Sequence, residues 1–164
     1  SQVLFGAGAR HSIGQTLTNM GAKKALIVTD KFLHDSGLSN DVEASIKNAG
    51  IESVMFDGTE PENPIEVIDV VKILIIEEKI DAIIGFGGGS AMDLAKCART
   101  MTVNERPIQN YYDLRVPRKT NPSRRSIADR SVAICTAPTS SSSHETGSAK
   151  FLFTPAIPTF RMNL

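Results

Sequence analysis

Four short apolar runs, each bounded by polar residues and separated from the next by a stretch with helical punctuation, leave this chain few choices of fold. The clearest is 25–29, Ala-Leu-Ile-Val-Thr, which lies between Lys23-Lys24 and Asp30 without polar alternation and so reads as a strand buried on both faces. Similar runs at 52–56, 82–86 and 131–136 complete the set. Their alternation with helical stretches is the pattern of a parallel sheet with helices on both faces, an α/β fold. At 164 residues and 41% hydrophobic content, the chain can bury a real core as one unit without disulfides or metals.

The helices are best read from their ends. Asn63 is a candidate N-cap, Pro64 fits the first helical position, and Glu66 can complete a capping box. From there Ile65, Ile68, Val71, Lys72, Ile75 and Ile76 approximate an apolar stripe, interrupted by the aliphatic stem of Lys72. An earlier helix is expected over about 39–49, with Val42 and Ile46 on its inner face. A third should start at Ser90 and carry Met92, Leu94, Ala95, Ala98 and Met101. Residues 106–130, rich in Pro, Asn and Arg, are too long and too polar for a simple connector and read as a surface excursion. The stretch 155–164 has two prolines and no periodicity, so the chain looks cut rather than finished. It begins at Ser1 rather than Met, consistent with a trimmed product or an excised piece.

Charge excludes more than it suggests. Eighteen Lys and Arg balance eighteen Asp and Glu, so no net field draws the chain to nucleic acid or to an anionic membrane. Arg115, Arg118, Lys119, Arg124, Arg125 and Arg130 form a basic group in the polar excursion. With only Tyr111 and Tyr112 nearby as aromatics, it reads as a solvated run rather than an RNA site. The longest apolar run, around 73–76, falls well short of the ~20 residues that span a bilayer, and no leader opens the chain, so no membrane role is expected. Cys97 and Cys135 fall in a helical and a strand pattern with apolar neighbours, as reduced buried thiols do, which makes the cytoplasm the expected compartment.

One segment carries chemistry by its pattern. Gly87-Gly88-Gly89-Ser90 follows a buried run and opens a helical one. Residues without Cβ let a ligand approach the backbone, and a helix start offers free N–H groups and a positive dipole end, which suits a phosphate. The same residues would also make a plain tight turn. Asp93 can complete a capping box with Ser90 or accept from a ligand. Asp30, directly after the first run, can accept from a ribose hydroxyl and repel a 2′-phosphate, or can cap a helix. Gly6-Ala7-Gly8-Ala9-Arg10-His11 begins like the dinucleotide fingerprint but lacks its last glycine and a full preceding strand. Ser143-His144-Glu145 cannot form a hydrolase triad, since neighbours in sequence point apart. Ser90 sits like a nucleophile elbow, yet Met92 replaces the closing glycine of that motif.

Four ordered blocks resemble the iron-containing alcohol dehydrogenases: Val-Leu-Phe-Gly-Ala-Gly at 3–8, Ala-Leu-Ile-Val-Thr-Asp at 25–30, Phe-Asp-Gly-Thr-Glu-Pro-Glu-Asn-Pro at 56–64, and Ile-Ile-Gly-Phe-Gly-Gly-Gly-Ser-Ala-Met-Asp-Leu-Ala-Lys at 83–96. Glycerol dehydrogenases and dehydroquinate synthases share that fold. The resemblance implies a Rossmann-like N-terminal α/β domain that binds NAD(P), a C-terminal helical domain holding a divalent metal (iron or zinc) with one Asp and three His, and a cleft for an alcohol or aldehyde. Carried over by position, Asp30 would face the adenosine ribose, Gly87, Gly88, Gly89 and Ser90 the pyrophosphate, and Asp93 the cofactor side of that turn. Thr136, Thr139, Ser140 and Ser143 would donate to the nucleotide, and Lys150 would match a lysine at the ribose. The similarity implies NAD, with NADP less favoured because of Asp30.

The resemblance thins after Pro138, where the family's Pro-Thr-Thr-Ala-Gly-Thr-Gly-Ser-Glu is replaced by Pro-Thr-Ser-Ser-Ser-Ser-His-Glu: hydroxyls are kept and glycines lost. His11, His34 and His144 are the only histidines, with no pair at helical spacing, so a complete metal site cannot be assembled from them. The expected organisation is a dinucleotide-binding domain over 1–154 and a tail, 155–164, leading toward a metal-binding domain that the chain lacks. Such a chain would bind nucleotide without oxidising alcohol, with a homodimer as an allowed assembly. The rival expectation is a stand-alone nucleotide-binding or interaction module without catalysis.

Overall fold

The computed structural model describes residues 3–6, 8–102, 104, 131–135 and 149–153. They form one six-stranded sheet with helices on both faces. In chain order the elements are β1 (Val3–Gly6), a 3-10 turn (Ala9–Ser12), α1 (Ile13–Asn19), β2 (Lys24–Val28), α2 (Lys31–Asp35), α3 (Asn40–Asn48), β3 (Glu52–Phe56), α4 (Ile65–Glu77), β4 (Ala82–Gly87), α5 (Gly89–Thr102), β5 (Ser131–Cys135) and β6 (Ala149–Phe153).

The strand order is β1-β6-β5-β4-β2-β3. Strands β3, β2, β4 and β5 are parallel, as the apolar runs predict, while β6 runs against both β5 and β1. The sheet is therefore parallel through its centre and mixed at one side. Alternate residues of β2 and β4 serve opposite faces. Ala25, Ile27, Ile84 and Phe86 join Ile13, Leu17, Leu33, Val42 and Ile46 of α1, α2 and α3 in one core. Leu26, Val28 and Ile83 join Ile68, Val71, Ile75, Leu94, Ala98 and Met101 of α4 and α5 in the other. No helix among the described residues is long and apolar enough to cross a membrane.

Some expectations need correction. Strand β3 is not buried on both faces: it is the sheet edge, with Glu52 exposed and 53–56 half-buried. Helix α4 begins one residue later than its signals suggest. Pro64 is the N-cap, at φ −58° and ψ 152°, without a side-chain cap bond, so the expected capping box between Asn63 and Glu66 does not form. Ile76 is 57% exposed rather than part of the inner stripe, and Val70 and Ile73 join it on the solvent side. This helix is apolar all round, so periodicity cannot choose its buried face. Gly6 closes β1, but β1 is the other sheet edge, separated from β4 by β5 and β6, and Gly8 opens a 3-10 turn. The fingerprint-like glycines are thus remote from the centre of the sheet. Cys97 lies in α5 and is half-buried rather than buried.

Candidate functional site

Strand β2 connects to β3 through α2 and α3 on one face, whereas β4 connects onward through α5 on the other. Where adjacent parallel strands send their connections to opposite faces, a crevice opens beyond their carboxyl ends. Here β2 and β4 are those strands, and their register pairs Val28 with Gly85. Continuing it by two residues brings Asp30 level with Gly87, so two segments singled out in the sequence meet at the crevice.

The turn into α5 is shaped by what cannot be added to it. A Cβ on Gly85 would lie 2.9 Å from the Met92 Cα and 3.2 Å from the Ala91 carbonyl oxygen, so its absence lets α5 lie directly on β4. Gly87 has φ +144°, which side chains rarely tolerate, and a Cβ there would meet Leu33 Cδ1 at 3.1 Å. Gly88 and Gly89 are open among the described residues, with none of these within 4 Å of such a Cβ. The first bond of the 14-residue α5 runs from Met92 N–H to the Gly88 carbonyl at 3.2 Å. The N–H groups before it have no carbonyl in the helix to bond and sit at its positive end. An open, glycine-lined helix start of this kind is a fitting cradle for a diphosphate.

Asp30 caps a helix, one of its two sequence readings, and also borders the glycine turn. Its Oδ1 accepts from Leu33 N–H at 2.9 Å and caps α2, while Oδ2 lies 3.4 Å from where a Gly87 Cβ would stand. One oxygen holds the helix and the other borders the glycine turn. Asp93 is different: it is exposed on α5 and pairs with Lys96 at 3.0 Å. Lys150 lies in β6, paired with Cys135, which pairs in turn with Gly87. The lysine's backbone therefore shares a cross-sheet row with the turn. Thr136, Thr139, Ser140, Ser143, His144 and the basic group from Arg115 to Arg130 lie outside the described residues.

The sequence reading missed the partner of Asn63. Its Nδ2 donates to the Ser90 carbonyl at 2.9 Å and its Oδ1 accepts from Glu60 N–H at 3.1 Å, which ties the β3–α4 loop to the glycine turn. The motif Pro-Glu-Asn-Pro shows that Asn63 sits in a turn but not what it reaches. Thr29 and Thr59, at the same end of the sheet, carry buried hydroxyls without a partner among the described residues. His34 Nδ1 lies 2.7 Å from Asp57 Oδ2, linking α2 to that loop. The hydrogen bond from His34 is the main influence holding the Asp57 carboxyl below its ordinary range, with the charges of His34 and Lys31 acting the same way.

Among the described residues, no group of three or more His, Cys, Asp or Glu is placed to hold a metal ion, so these residues do not fit the divalent metal implied by the resemblance. A separate open depression of about 330 Å³ is lined by His11, Gln15, Asp41, Ala44, Ser45, Asn48 and Ala49, between α1 and α3. None of its lining residues belongs to the crevice.

Residues 1–151 match the family model described as iron-containing alcohol dehydrogenase. The NAD-dependent methanol dehydrogenase of Bacillus methanolicus is 39% identical over 112 residues, 66% of this chain and 28% of that protein. The choline dehydrogenase of Bacillus subtilis (strain 168) is 33% identical over 109 residues, 66% of this chain and 27% of that protein. The solved structure of an NADH-dependent butanol dehydrogenase from Thermotoga maritima superposes with a TM-score of 0.65 at 27% identity, covering 70% of this chain and 29% of that one. A sulfoacetaldehyde reductase from Bifidobacterium kashiwanohense, solved in complex with NAD+, gives a TM-score of 0.63 at 25% identity, covering 70% and 30%. The chain spans less than a third of each of these relatives.

Proposed function

Because the chain belongs to the iron-containing alcohol dehydrogenase family, we propose that it is the nucleotide-binding unit of an NAD-dependent, metal-dependent alcohol dehydrogenase, with residues 1–154 as the cofactor domain. The observation that carries the reading is the meeting of Asp30 Oδ2 with a glycine turn whose Gly88 and Gly89 are open among the described residues. In this reading the N–H groups at the start of α5 receive the pyrophosphate, and Asp30 accepts from the adenosine ribose. A carboxylate there repels a 2′-phosphate, so NAD is preferred to NADP. Ser90 lines the turn, and Lys150, whose backbone shares a row with Cys135 and Gly87, is proposed as a lysine at the ribose. Thr136, Thr139, Ser140 and Ser143 are proposed as further donors, and Asp93 as an outer residue on the cofactor side.

Bound NAD would accept hydride from an alcohol, or as NADH return it to an aldehyde. The residues described here bind and orient that cofactor; they offer no donor set for iron or zinc. Turnover is therefore proposed only where this unit is joined to a metal-holding part, and the chain alone is proposed to bind NAD without oxidising alcohol. The cytoplasm is the proposed compartment, and neither nucleic acid nor a membrane is a proposed partner.

The test is thermal unfolding of the 164-residue chain with and without nucleotide. NAD at about a hundred times its Kd stabilises the folded state by about 2.7 kcal/mol, and the midpoint should rise by several degrees, with a smaller rise for NADP at equal concentration. No rise with NAD would overturn the reading. Oxidation of ethanol or propanediol by the purified chain, free of contaminating enzyme, would overturn the claim that it needs a further part.

A further inference from the structure

Asp30 lies at the start of a helix too short to hold itself in place. Helix α2 has five residues, Lys31–Asp35, and an isolated helix needs roughly 12–15 before it is even marginal in water. Its position is therefore set by its anchors. Leu33 is 7% exposed, within the core beneath the glycine turn. A backbone bridge joins Asp30 to Gly58. On the outer side His34 Nδ1 meets Asp57 Oδ2 at 2.7 Å. Leu33, whose N–H holds Asp30 Oδ1, is the immediate neighbour of His34. A displacement of α2 at His34 would thus be transmitted to the carboxylate through one residue.

The two oxygens of Asp30 make that displacement matter. Because Oδ1 is committed to capping α2, the direction of Oδ2, the oxygen bordering Gly87, follows the tilt of the helix. On the function proposed above, Oδ2 is the group that accepts a ribose hydroxyl and repels a 2′-phosphate. We propose that the His34–Asp57 pair is a positioning pair, which holds α2 against the β3–α4 loop and so sets how sharply Asp30 distinguishes an unphosphorylated adenosine ribose from a 2′-phosphorylated one. Neither side chain needs to touch the nucleotide. Their effect falls on selectivity more than on total affinity, because the pyrophosphate turn is built from α5 and β4 and keeps its own tie to the β3–α4 loop, from Asn63 to the Ser90 carbonyl, without the pair.

The experiment measures Kd for NAD and NADP with the full chain and its His34→Ala, Asp57→Ala, His34→Gln and Asp57→Asn variants. Each alanine variant should narrow the NAD-over-NADP ratio by about twofold to fivefold, the range of exposed ion pairs, chiefly by weakening NAD. The double alanine variant should match either single one, since the pair acts as a unit. His34→Gln, which can still donate to Asp57, should recover most of the ratio. Unchanged ratios, or equal weakening of both nucleotides, would overturn the proposal. Asp57→Asn, whose amide oxygen can still accept from His34, should likewise recover most of the ratio. Should one alanine variant not fold, the other takes its place, and an unchanged ratio there overturns the proposal as well. A wild-type chain that binds neither nucleotide defeats the proposed function and this inference together; one that binds NAD while the variants keep its ratio defeats this inference alone.

Discussion

Gly87 and Gly88 are neighbours of the same type with different reasons to be glycine. At Gly87 the reason is internal: φ is +144° and Leu33 and Ala91 stand 3.1 and 3.3 Å from a would-be Cβ. Gly87→Ala should therefore lower the stability of the nucleotide-free chain by roughly 1–3 kcal/mol. Gly88 has no positive φ and no neighbour within 4 Å among the described residues, so none of them opposes Gly88→Ala. Its unfolding midpoint without nucleotide should match wild type, while the rise on adding NAD shrinks or disappears, because the new methyl occupies the proposed phosphate approach. Thermal unfolding of both variants, each with and without NAD, separates the two roles. An undiminished NAD response in Gly88→Ala would move the ligand elsewhere. The pattern Gly-Gly-Gly-Ser after an apolar run marked this turn in the sequence, but which glycine serves the fold and which leaves room is set by Leu33 and Ala91.

At the scale of elements, the chain is tied at the end of the sheet opposite the crevice as well. Lys24, opening β2, contacts Glu78 after α4 at 2.7 Å and Glu52 of β3 at 3.7 Å. Asp81 receives the backbone N–H groups of Lys23 and Lys24 at 3.0 Å. The hydrogen bond to Glu78 is the main influence raising the Lys24 pKa above its ordinary 10.5. A raised lysine contributes stability that is fully present below the unfolded pKa and lost as pH climbs through the folded one. The urea midpoint should thus fall above pH 10.5 by more in wild type than in Lys24→Met, which keeps the aliphatic stem. Asp57 has the opposite sign. Its depressed pKa gives stability that is present above the ordinary 3.8 and lost as pH falls through the folded value, so His34→Ala should flatten the acid side of the same curve. Parallel denaturant curves for wild type and variant would remove either assignment. The four parallel strands were legible to within a residue, because a continuous apolar run is a local signal, whereas β1 and β6 were not among the runs read as strands. The start of α4 was not, because Asn63 spends its side chain on Ser90, 27 residues away, instead of on the helix it precedes.

Taken whole, the molecule keeps an apolar band in solvent. Val70, Ile73 and Ile76 on the outer side of α4 are 53%, 52% and 57% exposed, at a spacing that aligns them. We expect the chain to self-associate, with a homodimer as the first species, and a monomer across micromolar concentrations in sedimentation velocity would remove that expectation. The amino-acid order alone settled the alternation of strands and helices, the glycine turn at the tip of β4 and the carboxylate at the tip of β2, since each is written in consecutive residues. Only the tertiary structure decided that β2 and β4 lie side by side, that β3 and β1 are edges, that β6 runs against its neighbours, and that Asp30 borders Gly87. The physical reason is that strand order and burial arise from hydrogen bonds and contacts between residues far apart in the chain, which no local pattern of polarity can encode.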